Sequence, residues 1–439
     1  MQNLIYKMTG PVKKDKGLLT NPLSFMEKIK EKRKDEDYLL FATIVKKLRN
    51  EKNLTIYNLS KDICSISYLS KLENGLIETN ETTINLLFDR LGVNYESFKN
   101  QNKKIDLKRL IKAYSDNNID VLYNAYVEVK ECPLNINKPL INGLYYLATD
   151  NLKLVETEIK ELEPVKETLG QFEAMVFLFI VIEYYVKSYL FNVAYEYLKL
   201  SEMLVVDDGY LKLLVIEDKL VTAYHLNNYV LFYNSYKDYL LSIIPTYSLK
   251  RKLEISFLYQ VVNMNEYPTK VLDSLNAIDI DEYSDDVKEV IIYYKYLVKS
   301  MLLPAKQVYD EMIESIDQFN NGRLLGLLAS VVFLVDTKEC YEYLYKLMNN
   351  YDYKDIHFIH QKYVCFVLMY GSRVSDHDLL EFFKSEIMVT SYKEKYHLYD
   401  ETYKKVYLSL LASFSRYKEA YLYLLDEKKR PFSFNNLNI

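Results

Sequence analysis

The chain has 439 residues, 49% of them apolar and 27% charged, and is therefore expected to be globular, with a core and a solvated surface. Ten glycines and nine prolines are too few for β-sandwiches, propellers and other folds rich in turns, which leaves an all-α protein as the first prediction. Residues 1–104 carry 19 basic and 13 acidic side chains, a net charge of +6, and the rest has a net charge of −11. This distribution favours contact between the N-terminal region and a polyanion, and the alternative is a chance excess of charge with a lysine-rich leader.

Residues 1–37 are polar and lack a sustained apolar period, so they are expected to form a flexible leader, with a short helix near residues 25–34. Contact between this leader and DNA phosphates is the alternative to a solvated tail. The leader contains no apolar segment of signal-peptide length, and no stretch of about 18 uncharged apolar residues that could span a membrane occurs in the chain.

The cysteines are scattered and form no CxxC pair. They are Cys64, Cys132, Cys340 and Cys365. This pattern suits a reducing compartment, and the protein is expected to be cytoplasmic.

Five short helices are predicted between residues 38 and 100. The first is amphipathic, with Ile44, Val45 and Leu48 on its apolar face. Residues that precede the other four can cap their N-termini through short polar side chains: Thr55, Ser65, Asn80 and Asn94. Two glycines, Gly75 and Gly92, follow the third and fourth helices and tolerate the left-handed conformation in which helices end.

The segment LTIYNLSKDICSISYLSKLENG, residues 54–75, has the apolar spacing of a helix-turn-helix. Leu59 and Ile63 anchor the first of its two helices, and Leu69 and Leu72 hold the second helix against the first. The segment resembles the phage-repressor-like class of helix-turn-helix domains, whose second helix ends in a run such as YLSKLENG. The resemblance extends over residues 38–100, which are therefore expected to form a DNA-binding domain.

This resemblance implies that the second helix enters the major groove of DNA and directs the side chains of its first two turns at base edges. The predicted base-contacting residues are Ser67, Tyr68 and Lys71. The residues predicted to bond to phosphate oxygens, which positions a protein without selecting a sequence, are Thr55, Ser70 and Asn74. Basic side chains of the first helix, Lys46, Lys47 and Arg49, are expected to add positive charge.

Two positions depart from the class. Ile56 stands where Gln is common, which removes one expected phosphate or base contact. Cys64 lies in a turn that is one residue shorter than usual and lacks the common Gly. A helix-turn-helix that serves dimerisation or docking is the alternative to a DNA-binding one.

Residues 105–428 are predicted to repeat a helical hairpin and to form a right-handed solenoid, followed by a tail at 429–439. The second helices of the hairpins are predicted to begin near residues 118, 150, 190, 229, 268, 304, 337, 376 and 416, about 32 to 40 residues apart. The best-defined hairpin has the small Ala194 at its helix crossing and resembles the tetratricopeptide repeat (TPR). The other hairpins match this repeat more weakly.

A repressor-like domain joined to a degenerate TPR-like body is similar to the RNPP family, the cytoplasmic peptide-pheromone receptors of Gram-positive bacteria. The run DICSISYLSKLENG, residues 62–75, carries the most specific part of this similarity. The resemblance implies a homodimeric transcription regulator that binds an inverted-repeat operator in double-stranded DNA. It also implies control by a short signalling peptide, as in quorum sensing, with the peptide on the concave surface of the solenoid.

An extended peptide requires amide partners for its backbone and apolar pockets for its side chains, and Asn and Tyr can provide these. Residues of these two types on predicted inner helices are the candidate peptide contacts: Asn142, Tyr185, Tyr224, Asn227, Tyr259, Asn263 and Tyr294. Asn227 and Asn263 recur about one repeat apart.

No phosphate-binding loop, dinucleotide-binding turn or nucleophile elbow is present in the sequence, so no enzymatic activity and no cofactor is predicted. His357 and His360 lack further ligands at recognisable spacing and are interpreted as ordinary histidines, not as a metal site. The second functional hypothesis is an interaction scaffold: the solenoid binds a protein partner, such as a response regulator or a phage protein, and the N-terminal domain serves for docking.

Overall fold

The all-α prediction is confirmed by the computed structural model, in which the described residues form α-helices joined by turns, without any β-strand among them. The described residues are 18–19, 22–30, 37–101, 106–132, 134–203, 208–226, 228–242, 244–246, 248–263, 268–280, 283–316, 322–350, 358–388 and 397–429. They divide into two compact units. The N-terminal unit contains the described residues of Asp15–Lys219 and Ser235–Ser248, and the C-terminal unit contains those of Leu220–Asn234 and Leu249–Ile439.

Residues 22–30 differ from the expected flexible leader and overlap the short helix that is expected near residues 25–34. Pro22–Lys30 form helix α1, whose Phe25 and Ile29 are fully buried in the core of the N-terminal unit. The backbone N–H of Leu18 donates a hydrogen bond of 2.7 Å to the hydroxyl of Tyr185. Burial of these two large apolar side chains contributes about 1.5–3 kcal/mol each, which favours the ordering of a segment that has little apolar periodicity.

Five helices follow, at the predicted place. They are α2 (Asp37–Glu51), α3 (Ile56–Ser60), α4 (Ile66–Glu73), α5 (Glu81–Arg90) and α6 (Tyr95–Gln101). Their apolar side chains share one core around Phe88, whose ring centroid lies 5.4 Å from that of Phe41 and 5.1 Å from that of Phe98. We call these helices the N-terminal domain.

The predicted capping residues set the ends of these helices. Side-chain oxygens of all four predicted N-caps accept a backbone N–H from three residues further on: Thr55 from Asn58, Ser65 from Tyr68, Asn80 from Thr83 and Asn94 from Ser97. Gly75 and Gly92 have φ angles of 64° and 66°, as expected for residues that follow a helix in the left-handed conformation. Helix α3 is shorter than predicted: it ends at Ser60, and Ile63 lies in the turn.

The remainder of the N-terminal unit consists of further helices packed on one core. They are α7 (Leu107–Ser115), α8 (Ile119–Lys130), α9 (Lys138–Ala148), α10 (Leu152–Leu162), a 3₁₀ turn (Glu163–Thr168), α11 (Gln171–Lys187) and α12 (Phe191–Ser201). Helix α11 is the centre of this core, because every residue from Ala174 to Glu183 is buried. The boundaries between the units fall within α13 (Gly209–His225) and α14 (Tyr229–Leu240).

The C-terminal unit continues with helices of similar length. They are α15 (Leu249–Val262), α16 (Pro268–Asn276), α17 (Asp285–Leu302), α18 (Ala305–Ile316), α19 (Gly322–Val335), α20 (Lys338–Asn350), α21 (Phe358–Gly371), α22 (Asp376–Phe382, extended by a π turn at Phe383–Met388), α23 (His397–Ser413) and α24 (Tyr417–Lys429). Neighbouring helices pack in succession, as α17 does on α18 and α19 does on α20.

The predicted helix starts agree with the structure to within two residues. Second helices of the hairpins begin at Ile119, Leu152, Phe191, Tyr229, Pro268, Ala305, Lys338, Asp376 and Tyr417. A residue with positive φ recurs in the turn between paired helices: Asn117, Asp150, Tyr189, Asp336, Arg373 and Ser415. In both units, therefore, several helix pairs are joined by a tight turn that places a left-handed residue one or two positions after the end of the first helix.

Candidate nucleic-acid interface

Helices α3 and α4 form a helix-turn-helix. Leu59 of α3 and Leu69 and Leu72 of α4 are fully buried against each other and the rest of the domain core. The turn between the helices is tight because Asp62 adopts a φ of 60° and the backbone N–H of Cys64 bonds to the carbonyl of Ser60 at 2.9 Å. The Cys64 side chain packs against the core, and burial raises the pKa of its thiol, which keeps the thiol neutral.

The predicted base-contacting residues lie in the first two turns of α4. Ser67 and Lys71 are exposed to solvent. Tyr68 is half-buried, and its hydroxyl donates a hydrogen bond of 2.8 Å to Oγ1 of Thr79, in the loop that follows α4. The hydroxyl of Tyr68 is therefore already bonded within the protein, whereas Ser67 and Lys71 face solvent.

The predicted phosphate-contacting residues flank this surface. Thr55 is exposed, and its Oγ1 accepts the N–H of Asn58, so its own hydroxyl proton can be donated outward. Ser70 and Asn74 are half-buried on the second half of α4 and at its C-terminus.

Two of the three basic side chains of α2 that are expected to add positive charge, those of Arg49 and Lys47, form ion pairs within the protein. Arg49 forms an ion pair with Glu73, through Nε to Oε1 at 2.6 Å and Nη2 to Oε2 at 2.9 Å, and also donates to the carbonyl of Leu54. Lys47 pairs with Glu161 of α10, with 2.5 Å between Nζ and Oε1. Glu73 and Glu161 are acidic partners that spacing alone does not reveal, so the charge of these two side chains is neutralised within the N-terminal unit.

Sequence reasoning missed two features of the domain. Ile66, the first residue of α4, is 52% exposed although it is a large apolar side chain. Ile136, located after α8, is 5% exposed and belongs to the core of the domain, and Leu134 packs beside that core. The exposed Ile66 was foreseeable from its position ahead of Ser67 on a capped helix, whereas no local signal assigns Ile136 to this core.

The predicted peptide contacts differ widely in exposure. Asn142 is buried and donates from Nδ2 to Oε1 of Glu158 at 3.1 Å. Tyr185 is fully buried, and its ring stacks on Tyr197 with 5.5 Å between centroids. Tyr224 and Tyr294 are also buried, and the ring of Tyr294 contacts Phe257. These four side chains are therefore removed from solvent in the structure.

Two of the predicted contacts are accessible. Tyr259 and Asn263 are half-buried and lie one turn apart at the end of α15. Asn263 accepts a hydrogen bond of 2.9 Å from the hydroxyl of Tyr233, and its Nδ2 donates to the carbonyl of Tyr259. Asn227 lies outside the described residues.

The part of the chain that the structure describes contains neither a metal-binding cluster nor a membrane-spanning helix. No group of three or more His, Cys, Asp or Glu side chains is placed to hold a metal ion there. None of the helices described combines the length and apolarity that crossing a membrane requires. His357 lies outside the described residues.

Comparison with known families agrees with this geometry. Residues 45–98 match the helix-turn-helix family model, a range that begins within α2 and ends within α6. Residues 45–98 therefore belong to a helix-turn-helix domain of a DNA-binding, regulatory family, and the residues that the structure describes after this domain are helical apart from turns. No curated protein and no solved structure matches the chain significantly.

Proposed function

We propose that the protein is a transcription regulator whose helix α4 reads a specific DNA sequence in the major groove. The exposed polar face of α4 carries the proposal: Ser67 and Lys71 face solvent, while Leu69 and Leu72 of the same helix are buried. Hydroxyl and ammonium groups are suitable partners for base edges, and Lys in particular for the O6 and N7 acceptors of guanine.

The fixed orientation of α4 further supports the proposal that this helix reads DNA. The ion pair between Arg49 and Glu73 joins the C-terminal end of α4 to α2, and Ser65 caps its N-terminal end. Together with Leu69 and Leu72, which are buried in the domain core, the ion pair holds α4 in one orientation, which sequence discrimination requires. Tyr68 lies beside this surface as a third candidate contact, and Thr55, Ser70 and Asn74 are proposed to bond to phosphates.

A gel-shift assay of full-length protein on the DNA upstream of its own gene tests this proposal. Lys71→Ala is expected to weaken binding by about 5- to 160-fold, which corresponds to about 1–3 kcal/mol for one good base contact. Lys153→Ala is the matched control, since it removes the same charge from an exposed position of α10, outside the domain. Equal binding and sequence preference of wild type and Lys71→Ala would refute the assignment.

Salt dependence provides a second readout. If the domain neutralises phosphates, the logarithm of the binding constant falls linearly with the logarithm of the salt concentration. Absence of such a slope, together with absence of a shifted band, would favour the docking role for the domain.

We also propose that the helical body is a TPR-like solenoid that forms the homodimer and senses a short peptide. The regular helix pairs support a solenoid. The half-buried pair of Tyr259 and Asn263 offers a ring and, beside the bonds that Asn263 makes to Tyr233 and Tyr259, the second N–H of its amide to an extended backbone. Pairing of two subunits is proposed because the half-site of one small domain would seldom provide enough discrimination.

Calorimetry of full-length protein with short peptides encoded beside its gene tests peptide sensing. Heat is expected with one peptide, and Tyr259→Ala is expected to reduce the affinity. Tyr417→Ala, at an exposed tyrosine of α24, is the control for loss of a ring. Absence of heat with every peptide would favour the scaffold that binds a protein partner.

A further inference from the structure

The first residue of α4 is an apolar side chain that is exposed to solvent. Within α4, all of which the structure describes, Ile66 is the one large apolar side chain that is exposed, at 52%. Leu69 and Leu72 of the same helix are completely buried. The exposed part of the Ile66 side chain therefore contributes little to the stability of the fold, since an apolar side chain stabilises a protein by its removal from water.

Ile66 lies on the same surface as the proposed base contacts. At about 100° per residue, Ile66, Ser70, Ser67 and Lys71 follow one another within an arc of about 140° around the helix axis. Ser65 caps the helix directly before Ile66, with its Oγ 3.1 Å from the backbone nitrogen of Tyr68. The N-terminal residues of a recognition helix are those that approach base edges most closely.

We infer that Ile66 reads thymine by apolar contact with its C5 methyl group. The methyl group of thymine is the apolar feature of the major-groove edges, which otherwise present hydrogen-bond donors and acceptors. An isoleucine placed against those polar atoms would remove them from water without replacing their hydrogen bonds, which is unfavourable. Ile66 therefore favours thymine at its position and disfavours guanine, where N7 and O6 would lose water. This inference rests on the proposed function.

The contact assigns distinct roles to neighbouring residues. Ser67 and Lys71 provide hydrogen-bond donors, and Ile66 provides shape and an apolar surface. The half-site is accordingly expected to contain a thymine next to the base pairs that Ser67 and Lys71 contact. Substitution of the shorter side chain of Ala would leave a gap between protein and methyl group, so that the preference for thymine disappears while the other contacts persist.

The experiment begins with selection of bound duplexes from a random pool by full-length wild type and by Ile66→Ala. One position is expected to be thymine in the wild-type selection and to become degenerate with Ile66→Ala. At that position, deoxyuridine, which lacks the methyl group, is expected to weaken wild-type binding about fourfold, as loss of one buried methyl-sized group predicts. Ile66→Ala is expected to bind the thymine and deoxyuridine duplexes equally.

Two further variants make the result specific. Ile66→Val, which keeps a branched apolar side chain, is expected to retain the thymine preference. Leu86→Ala removes an exposed apolar side chain from α5 and is expected to leave every base preference unchanged. Because Ile66 is exposed, Ile66→Ala is expected to leave the melting temperature unchanged, which separates a lost contact from a lost fold.

The outcomes distinguish this inference from the proposed function. Enrichment of a specific sequence that shows no dependence on Ile66, or equal response of wild type and Ile66→Ala to deoxyuridine, overturns the inference and leaves the DNA-binding function intact. Failure of the wild type to enrich any sequence overturns both.

Discussion

Arg49 and Glu73 connect the first helix of the N-terminal domain to the last residue of α4 through two parallel hydrogen bonds. The side chain of Glu73 is 3% exposed and that of Arg49 is 13% exposed, so the pair is largely removed from water. Bidentate geometry of this kind fixes both distance and angle between the helices. The final Glu of the YLSKLENG run thus has a structural role, because it orients the helix whose outer face is proposed to contact DNA.

Removal of one partner of this pair is expected to be costly. Glu73→Ala leaves the guanidinium of Arg49 buried without its partner, and we expect local destabilisation of about 3–5 kcal/mol. Hydrogen exchange of the α4 amides in the full-length protein measures this local stability. As the control, Glu156→Ala breaks the exposed pair with Lys160 on α10 and is expected to change stability by less than about 1 kcal/mol. Unchanged exchange in α4 after Glu73→Ala would contradict this role of the pair.

The hydrogen bond from Tyr68 to Thr79 predicts a particular pattern of binding data. Since the hydroxyl is bonded within the protein, Tyr68→Phe is expected to weaken DNA binding by less than about tenfold and equally for all sequences, in line with about 0.5–1.5 kcal/mol for one hydrogen bond. Thr79→Val is expected to weaken DNA binding to a similar extent, and the double variant is expected to bind DNA no more weakly than either single variant. A changed base preference in Tyr68→Phe would instead mean that the hydroxyl contacts a base. Tyr57→Phe, at an exposed tyrosine of α3, is the control.

Local chemistry explains why so many helix boundaries could be predicted. Caps such as Thr55, Ser65 and Asn80 accept a hydrogen bond from a backbone N–H three residues further on. Gly75 and Gly92 end helices because they adopt the left-handed conformation themselves. Short-range interactions of this kind are visible in the sequence. The left-handed turns at Asp150, Tyr189 and Arg373 contain no glycine, yet the following helices begin near the predicted residues, because the apolar periodicity of each helix fixes its extent.

Pairings between distant residues explain what could not be predicted. The sequence predicts that Arg49 contacts phosphates, but its guanidinium is paired with Glu73. Tyr185 is predicted to contact a peptide, but its ring is stacked on that of Tyr197. Partners of this kind depend on tertiary packing, which no spacing rule encodes. The polar composition of the N-terminal segment likewise gave no sign that Phe25 and Ile29 are buried in the core of the N-terminal unit, where they anchor α1.

The position of Ile136 predicts that the N-terminal domain depends on the segment after α8. Ile136→Ala would leave a cavity in the domain core, and we expect destabilisation of about 2–5 kcal/mol. Hydrogen exchange in α5 and α6 of the full-length protein is expected to accelerate. Ile119→Ala, at an exposed position of α8, is the matched control and is expected to leave exchange in these helices unchanged. Slow exchange in the Ile136 variant would show that the domain core is complete without this side chain.

The carboxyl of Glu158 on α10 predicts how the stability of the N-terminal unit depends on pH. Burial raises the pKa of its carboxyl from 4.5 to about 7, with a smaller contribution from Glu161, and outweighs the hydrogen bond from Asn142 and the charges of Lys138 and Lys47, which lower the pKa. A folded-state pKa above the unfolded one means that the folded protein retains a proton that the unfolded chain releases. The contribution of Glu158 to stability is therefore complete below about pH 4.5, declines as the pH rises to about 7 and stays low above that value.

Glu158→Gln is expected to remove this decline, because the amide is neutral at every pH. Above pH 7 the variant is expected to exceed wild type in stability by on the order of 1 kcal/mol, since solvent around the half-buried carboxyl screens part of the effect. Hydrogen exchange of the α9 and α10 amides, corrected for the intrinsic pH dependence of exchange, measures the difference at pH 5, 6, 7 and 8. Glu156→Gln, at a more exposed carboxyl on the same helix, is expected to follow wild type. If Glu158→Gln and wild type lose stability in parallel over this range, the carboxyl of Glu158 is charged in the folded protein and another group determines the pH response.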